Sequence, residues 1–190
     1  MSGLARLFVA VDLGAAVRDR VARAIGLARL AAPRARWVPA DGVHLTRVFL
    51  GAVAGDRVPA IAAAIGRAAA RHRAMEINVH GAGTFGRSSS PRVLWLGVDG
   101  EVRALTSLQR DVAGELEAIG FPREERAFAP HLTLARAREE RGDASLATAA
   151  ERLGAFDAGS ALVSTVRLVQ SHLGPGGARY DVRAESTLSR

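Results

Sequence analysis

The stretch APHLTLAR, residues 129–136, decides the fold because its tripeptide HLT also occurs at residues 44–46. Alternate side chains of a β-strand point to opposite faces, so His131 and Thr133 share one face while the leucines beside Thr133 share the other. The first copy has the same alternation. Each tripeptide therefore predicts a strand with one polar face suited to chemistry and one apolar face suited to a core.

The two tripeptides belong to a longer internal repeat. An offset of 87 residues relates His44 to His131, and the same offset aligns LFVAVD at residues 7–12 with LWLGVD at residues 94–99. Both matches fall on equivalent elements in the same order, which favours duplication of one unit over coincidence. We expect a single bilobal domain over residues 1–190.

Both copies, which span approximately residues 6–86 and 93–173, have the same order of predicted elements. This order is an apolar strand, a helix, the HLT strand, a second helix and a closing strand. The predicted helices lie near residues 15–30, 56–71, 102–119 and 144–153, the closing strands at 75–81 and 161–173, and a last strand near 180–183. The expected fold class is α+β, with two lobes related by a pseudo-two-fold axis, each an antiparallel sheet with flanking helices, and an active site in the central cleft.

The composition restricts the class of protein. A chain of 190 residues with 48% apolar content is large enough for one substantial core. It lacks cysteine, which excludes a disulfide framework, a thiolate zinc site and a cysteine nucleophile. The first apolar run meets Asp12 too early for a signal peptide, and no run approaches the ~20 apolar residues of a membrane span. We expect a soluble, cytoplasmic monomer that binds no membrane.

The charge is strongly positive. The 26 basic and 19 acidic side chains leave a net charge of +7, and every basic residue is arginine. A basic surface attracts phosphates and nucleic acid. An arginine-rich, lysine-free composition is equally typical of coding bias in a GC-rich genome, so charge alone does not decide between these interpretations.

The repeated histidines are the candidate catalytic pair. Two lobes that face each other would bring His44 and His131 to opposite sides of one substrate, where one imidazole donates a proton and the other accepts one. Their ordinary pKa of about 6.5 suits this work near neutrality. Thr46 and Thr133 add hydroxyl groups that can donate to an oxyanion. One HLT alone is a weak signal, but two at matching places in a repeat favour a function.

With these two motifs the chain resembles the two-histidine (2H) phosphoesterase superfamily, and within it the RNA 2′,3′-cyclic phosphodiesterases described as 2′-5′ RNA ligase-like. The resemblance rests on RLFVAVDL, RWVPADGVHLT, FLG, PRVLWLGV, RAFAPHLTLAR and SHLGPGGARY. It implies metal-independent opening of a 2′,3′-cyclic phosphate at an RNA end to a 2′-phosphomonoester. It also implies that His44 is the proton donor and His131 the proton acceptor. We expect RNA with such an end, or a related cyclic nucleotide, as partner, and no cofactor or metal.

Two positions depart from a simple pattern. The first motif of the family usually continues Leu-Lys-Phe, whereas this chain has Arg47, Val48 and Phe49. Regular alternation predicts Val48 on the cleft side and Arg47 on the core side, where a charge is costly. Arg136 is a candidate substrate-binding residue, but it falls on the opposite face from Thr133 unless the strand bends.

The remaining candidates are predicted to have structural roles. The aromatic rings of Trp37, Phe85 and Tyr180 could stack on a base, although core packing is the default expectation for them. Arg126 is expected to anchor the loop before the second HLT. The other histidines, which are His72, His80 and His172, lack a matching threonine or repeat partner, so we predict that they take no part in the reaction.

Other functions stay open. The same histidines would serve 2′-5′ ligation of RNA or hydrolysis of a small cyclic nucleotide. A non-catalytic RNA- or nucleotide-binding module is disfavoured because both His-Thr pairs are intact. A histidine metal site is the weakest alternative, since neither motif has a nearby carboxylate or third histidine at ligand spacing.

Overall fold

The structure, a computed structural model, describes residues 3–124, 128–174 and 177–189, without the side chains of Asp41, Thr46, Arg47 and Leu173. The strands are β1 (Leu4–Val11), β2 (Arg36–Trp37), β3 (Leu45–Ala54), β4 (Met75–Arg87), β5 (Ser90–Gly100), β6 (His131–Arg136), β7 (Asp157–Val163), β8 (Thr165–Gly174) and β9 (Gly177–Thr187). The helices are α1 (Gly14–Arg29), α2 (Val58–Ala69), α3 (Val102–Glu117) and α4 (Ser145–Arg152). All four predicted helices are present.

The strands form two antiparallel sheets. The first sheet has the order β3-β1-β8-β9, and the second has the order β2-β6-β5-β4-β7. In each sheet the HLT strand pairs with the strand that begins its repeat, β3 with β1 and β6 with β5. The prediction of an α+β fold with antiparallel sheets and flanking helices is confirmed.

The prediction of one closing strand over residues 161–173 is wrong. The chain leaves β7 at Val163 and enters β8 at Thr165, and these two strands belong to different sheets. β7 pairs with β4 in the second sheet, whereas β8 pairs with β1 in the first. Apolar residues continue across the boundary with no glycine or proline, so the local pattern carries no sign of the change of sheet.

The sheets therefore do not follow the sequence repeats. β4 lies in the first repeat but pairs with β5 of the second, while β8 lies in the second repeat but pairs with β1 of the first. The helices are also exchanged between the repeats. α1 packs with α4 against the second sheet, whereas α2 and α3 pack together, α2 against β8 and β9 of the first sheet and α3 against β3. Each repeat thus contributes to both halves of the core.

The helices bury one face of each sheet and leave the other open. On β6, Leu132 and Leu134 are fully buried while His131 and Thr133 are partly exposed. The helices pack by matching apolar faces. On α1, for example, the buried residues Val17, Val21, Ala24, Ile25 and Ala28 recur at helical spacing. The polar faces of the HLT strands therefore remain available for a ligand. No helix in the described residues has the length and apolarity to span a membrane.

Both HLT strands contain a β-bulge at the residue directly after the threonine. In β3, Thr46 pairs with Ala10 and Val48 with Val9, which leaves Arg47 as the extra residue. In β6, Thr133 pairs with Trp95 and Ala135 with Leu94, which leaves Leu134 as the extra residue. The offset of 87 residues also relates these two bulged positions, so the repeat extends to the irregularity of the strand.

The bulges reverse the alternation beyond them and correct the expectation for Val48. Val48 is 6% exposed within the core, and Phe49 is 64% exposed. In β6 the same shift buries Ala135 and exposes Arg136. Because an extra residue moves every later side chain to the other face, Phe49 and Arg136 rather than Val48 follow the threonines on the open faces.

Candidate active site

His131 is held by its own backbone at the first position of β6. Its Nδ1 lies 2.7 Å from the carbonyl oxygen of Ala129. An imidazole that donates from Nδ1 carries its lone pair on Nε2 in the neutral form, and this hydrogen bond assigns the tautomer. The arrangement leaves Nε2 as the proton-accepting atom.

Aromatic rings surround His131 on the open face of the second sheet. Phe85 meets the imidazole edge-on, with ring centroids 4.9 Å apart, and Trp95 lies 6.5 Å away. The indole covers Gly83, where a Cβ atom would collide with it. Phe85 is 40% exposed, so it does not have the core-packing role expected from the sequence.

His44 precedes β3 and is enclosed more tightly. Its ring stacks on Phe8 with centroids 4.4 Å apart and an interplanar angle of 22°. Tyr180 meets the same imidazole edge-on at 5.2 Å. Gly42 permits this packing, because a Cβ atom there would lie 2.5 Å from the Tyr180 ring. Tyr180 therefore packs against a candidate catalytic residue rather than only against the core.

This enclosure changes the acid–base behaviour of His44. Burial lowers the pKa of His44 from 6.5 to about 4, although a hydrogen bond with the backbone of Gly42 acts in the opposite direction. Removal of the imidazolium ion from water disfavours the charged form. In the free protein at neutral pH, His44 is therefore a neutral imidazole.

The two sites share one backbone arrangement. His44 bonds to the backbone two residues before it, at Gly42, and His131 does the same with Ala129. β3 and β6 belong to different sheets but contact each other, so the two HLT strands are neighbours in the fold. The repeat has thus placed two similarly held imidazoles on adjoining strands.

On the open face of the second sheet, His131, Thr133 and Arg136 of β6 each form a row with the residue opposite them on β5. Gly97 of β5 lies opposite His131, Trp95 lies opposite Thr133, and Val93 lies opposite Arg136. Directly opposed residues of an antiparallel pair share a face. The bulge in β6 therefore brings Arg136 to the same face as His131 and Thr133. In β3 the backbone of Thr46 occupies the corresponding position opposite Ala10.

The comparison with known proteins agrees with this architecture. A family model described as the 2′-5′ RNA ligase superfamily matches residues 16–175. The chain belongs to this superfamily. The resemblance drawn from the HLT motifs is thereby confirmed.

Relatives of this 2′-5′ RNA ligase superfamily member carry consistent names. A protein of Methanothermobacter thermautotrophicus named RNA 2′,3′-cyclic phosphodiesterase is 34% identical over 92% of this chain and 94% of its own length. A protein of the same name from Aeropyrum pernix is 35% identical over 80% of this chain and 88% of its own. The crystal structure of Escherichia coli LigT in apo form superposes with a TM-score of 0.76 at 29% identity and covers 100% of both chains.

Several residues of this superfamily member that were predicted to be structural do lie in internal contacts. Trp37 donates from Nε1 to the Ala32 carbonyl at 3.0 Å. His72 lies 2.9 Å from Asp111, and His172 lies 2.9 Å from Asp181. Arg126 lies outside the described residues. Within the described parts of the chain, no group of three or more histidine, aspartate or glutamate side chains could hold a metal ion.

His80 differs from the other two additional histidines because it shares a row with His131. Gly97 lies between them, paired with His131 on one side and with His80 on the other. The hydrogen bond that His80 donates to the Asp99 carboxylate at 2.5 Å raises the pKa of His80 and lowers that of Asp99. The open face of this sheet is therefore polar well beyond the HLT strand. Strand alternation in MEINVHG, residues 75–81, could have indicated that His80 is exposed. It could not have shown that His80 lies in the same row as His131, two strands away.

Proposed function

We propose that this protein hydrolyses the 2′,3′-cyclic phosphate at an RNA end to a 2′-phosphomonoester, with His44 and His131 as the acid and base and without a metal. The observation that carries this proposal is the pair of imidazoles held alike on adjoining HLT strands. Two positioned imidazoles can manage both proton transfers themselves. The names of the relatives support the choice of substrate.

In this mechanism His131 activates the attacking water. Because its Nδ1 donates to the Ala129 carbonyl, Nε2 accepts the proton of the water as the oxygen bonds to phosphorus. The bond between phosphorus and the 3′-oxygen then breaks, while the bond to the 2′-oxygen stays. In-line attack places water and the departing oxygen on opposite sides of phosphorus, so a second group must protonate the 3′-oxygen.

His44 is that second group, and its lowered pKa sets a condition on the role. A neutral imidazole has no proton to give, so His44 must become protonated when substrate binds. An anion beside an imidazole favours its charged form, and the phosphate of the substrate is such an anion. The substrate thus raises the pKa of His44 from about 4 and charges the acid that the leaving oxygen needs. The donor role itself follows the family resemblance.

In this proposal the threonines bind the cyclic phosphate, and Arg136 contributes to binding the phosphates of the RNA end. Thr133 follows His131 on the open face of β6, and its hydroxyl can donate to a non-bridging oxygen. Thr46 has the corresponding place in the first motif. Arg136 lies in the next row, where its guanidinium group adds charge-assisted binding of phosphate oxygens.

The deciding experiment identifies the product from an RNA oligonucleotide that ends in a 2′,3′-cyclic phosphate. We expect hydrolysis in excess chelator and a product that a 3′-specific phosphatase leaves phosphorylated. Complete removal of the phosphate would show that the opposite bond breaks. Activity that disappears in chelator and returns with zinc or magnesium would refute metal independence.

Two controls make this experiment specific. His72→Asn removes a histidine that pairs with Asp111 outside the proposed site, and it should keep the wild-type rate. The reverse joining reaction and the hydrolysis of a small cyclic nucleotide would use the same histidines. RNA fragments with matching ends should therefore be supplied as well, since a joined product would identify ligation.

A further inference from the structure

Two arginines face each other across neighbouring strands beside the proposed site. Arg36 of β2 is the direct cross-strand partner of Arg136 of β6, and both side chains are exposed. Arg136 in turn lies opposite Val93, which lies opposite Phe85. Opposed residues share a face, so Arg36 extends the row of the open face that contains Arg136.

Neither arginine is neutralised by a carboxylate in the described part of the chain. In the following loop, Glu139 pairs with Arg141 at 2.5 Å, and Asp143 accepts a hydrogen bond from Ser145. Like charges directly opposite each other in a sheet are destabilising. An anion between the two guanidinium groups would remove this repulsion.

The backbone that carries Arg36 is firmly anchored. Trp37 packs against the core and donates to the Ala32 carbonyl, and the guanidinium carbon of Arg29 lies 5.8 Å from the centre of its ring. The amide of Val38 donates to the Leu134 carbonyl at 2.9 Å. Because Trp37 faces the core, strand alternation directs Arg36 to the open side. The backbone of Arg36 is therefore fixed, with its side chain on the open side of the sheet.

The position of the pair relative to His131 suggests which anion it binds. Along β6 the open face presents His131, then Thr133, then Arg136, so Arg36 and Arg136 lie beyond the groups proposed for the cyclic phosphate. The terminal nucleotide of an RNA end carries one phosphate besides the cyclic one, on its 5′-oxygen. In an RNA chain that phosphate is the diester linking the terminal nucleotide to the preceding one.

We propose that Arg36 and Arg136 form a subsite for the 5′-phosphodiester of the terminal nucleotide. The proposal rests on the proposed function, because it assumes a cyclic phosphate between the two histidines. Guanidinium groups bind phosphate oxygens in paired hydrogen bonds, and two of them can hold one diester from two sides. The subsite makes the enzyme prefer RNA ends over nucleoside cyclic phosphates that lack a 5′-phosphate.

The test compares two substrates in an Arg36→Gln variant. One substrate is a nucleoside 2′,3′-cyclic phosphate, and the other is a dinucleotide that ends in the same cyclic nucleotide. The variant should lose about tenfold or more in kcat/KM on the dinucleotide, mainly through KM, because a charge-assisted hydrogen bond is lost. On the mononucleotide it should remain within about twofold of wild type, since no group there reaches the subsite.

The control variants separate this subsite from general charge and from folding. Arg103→Gln removes an exposed arginine on α3 and should affect neither substrate. Arg36→Lys keeps the charge and should retain part of the preference for the dinucleotide. The dependence of kcat/KM on salt concentration should also become less steep for Arg36→Gln on the dinucleotide. The slope of log kcat/KM against log salt should fall by about 0.7 for one lost phosphate contact.

The outcomes against the proposal are specific. Equal loss on both substrates would place Arg36 in the reaction itself or in the fold, and no loss on either would leave it without a binding role. If the wild-type protein hydrolyses neither substrate, the proposed function fails. The subsite is then tested by calorimetry with a dinucleotide and a nucleoside that both end in a 2′-phosphate, where Arg36→Gln should weaken binding of the dinucleotide alone.

Discussion

The two halves of the proposed site have the same backbone but different side-chain surroundings. His44 and His131 each bond to the backbone two residues before them, and each HLT strand is bulged at the equivalent position. His44, however, is stacked on Phe8 and enclosed by Tyr180, whereas the ring of Phe85 meets His131 edge-on.

The first open-face residue beyond each bulge shows the same divergence. In the first half it is the exposed Phe49, with its ring 6.2 Å from Phe8, and in the second half it is Arg136. The repeat therefore reproduces the geometry that holds an imidazole, while individual side chains make one half apolar and the other cationic. A reaction that needs one acid and one base can use such a difference, because burial alters the pKa of one histidine.

The largest expected effect comes from removing either histidine. His44→Ala and His131→Ala should each lower the rate on an RNA cyclic phosphate by about 10²–10⁴-fold, the range for a positioned acid or base. A phosphodiester with a good leaving group needs little help from an acid, so it should largely restore His44→Ala and leave His131→Ala slow. Steady-state rates on both substrates measure this. Rescue of His131→Ala alone, or of both variants equally, would show that the roles are reversed or shared.

The second prediction concerns stability and depends on the buried half. The folded protein holds His44 with a pKa of about 4 against 6.5 when it is exposed, so it binds fewer protons than the unfolded chain between these values. Stability should therefore fall as the pH falls through this window, by up to about 3 kcal/mol below pH 4, and should be unaffected by this group above pH 6.5.

A mutant comparison isolates that contribution from the carboxylates that titrate in the same range. Denaturant unfolding of wild type and His44→Gln at pH 4.5 and 7.5 should give a smaller loss of stability on acidification in the variant. His131→Gln keeps His44 and should behave like the wild type in this difference. An identical pH dependence for wild type and His44→Gln would contradict the burial of His44.

The third prediction tests the cationic half. Arg136→Gln should lower kcat/KM on an RNA cyclic phosphate by about tenfold or more, because charge-assisted hydrogen bonds to phosphate contribute about 1.5–3 kcal/mol. Phe49→Leu, the matched change in the other half, should alter the value by less than about threefold because it removes no charge. Similar losses in both variants would indicate that the two positions serve packing rather than binding.

The smallest expected effect sharpens the comparison of the aromatic surroundings. Phe8→Leu should loosen the packing against His44 and raise its pKa from about 4 by up to about one unit, since partial access of water favours the charged form. Trp95→Leu changes the other half and should leave the pKa of His44 unaltered. Titration of the His44 ring protons by NMR measures both. A downward shift in Phe8→Leu would mean that the ring of Phe8 stabilises the imidazolium ion.

The architecture could be predicted from the sequence to a considerable extent. Apolar periodicity located α1, α2, α3 and α4, because each helix buries one face along its whole length. The offset between His44 and His131 marked the two strands that meet in the fold. The roles of these histidines and of Thr46, Thr133 and Arg136 remain predictions for the experiments above.

The faces on which Val48 and Arg136 lie were decided only by contacts between distant parts of the chain. Local alternation assigned Val48 to the open face, but pairing with β1 inserts Arg47 as a bulge and turns Val48 into the core. The bulge in β6 likewise places Arg136 on the open face that carries His131.

The change of sheet between β7 and β8, and the enclosure of His44, have the same origin. The apolar pattern on either side of Ser164 is alike, so pairing with β4 or with β1 depends on strands more than 70 residues away in the chain. The pKa of His44 likewise depends on Phe8 and Tyr180, which are distant from it in sequence. The sequence by itself determined the duplicated elements and the repeated histidines, because strand and helix periods are local properties. Register, burial and charge state were decided only by the packing of one repeat against the other, because they are properties of pairs of segments.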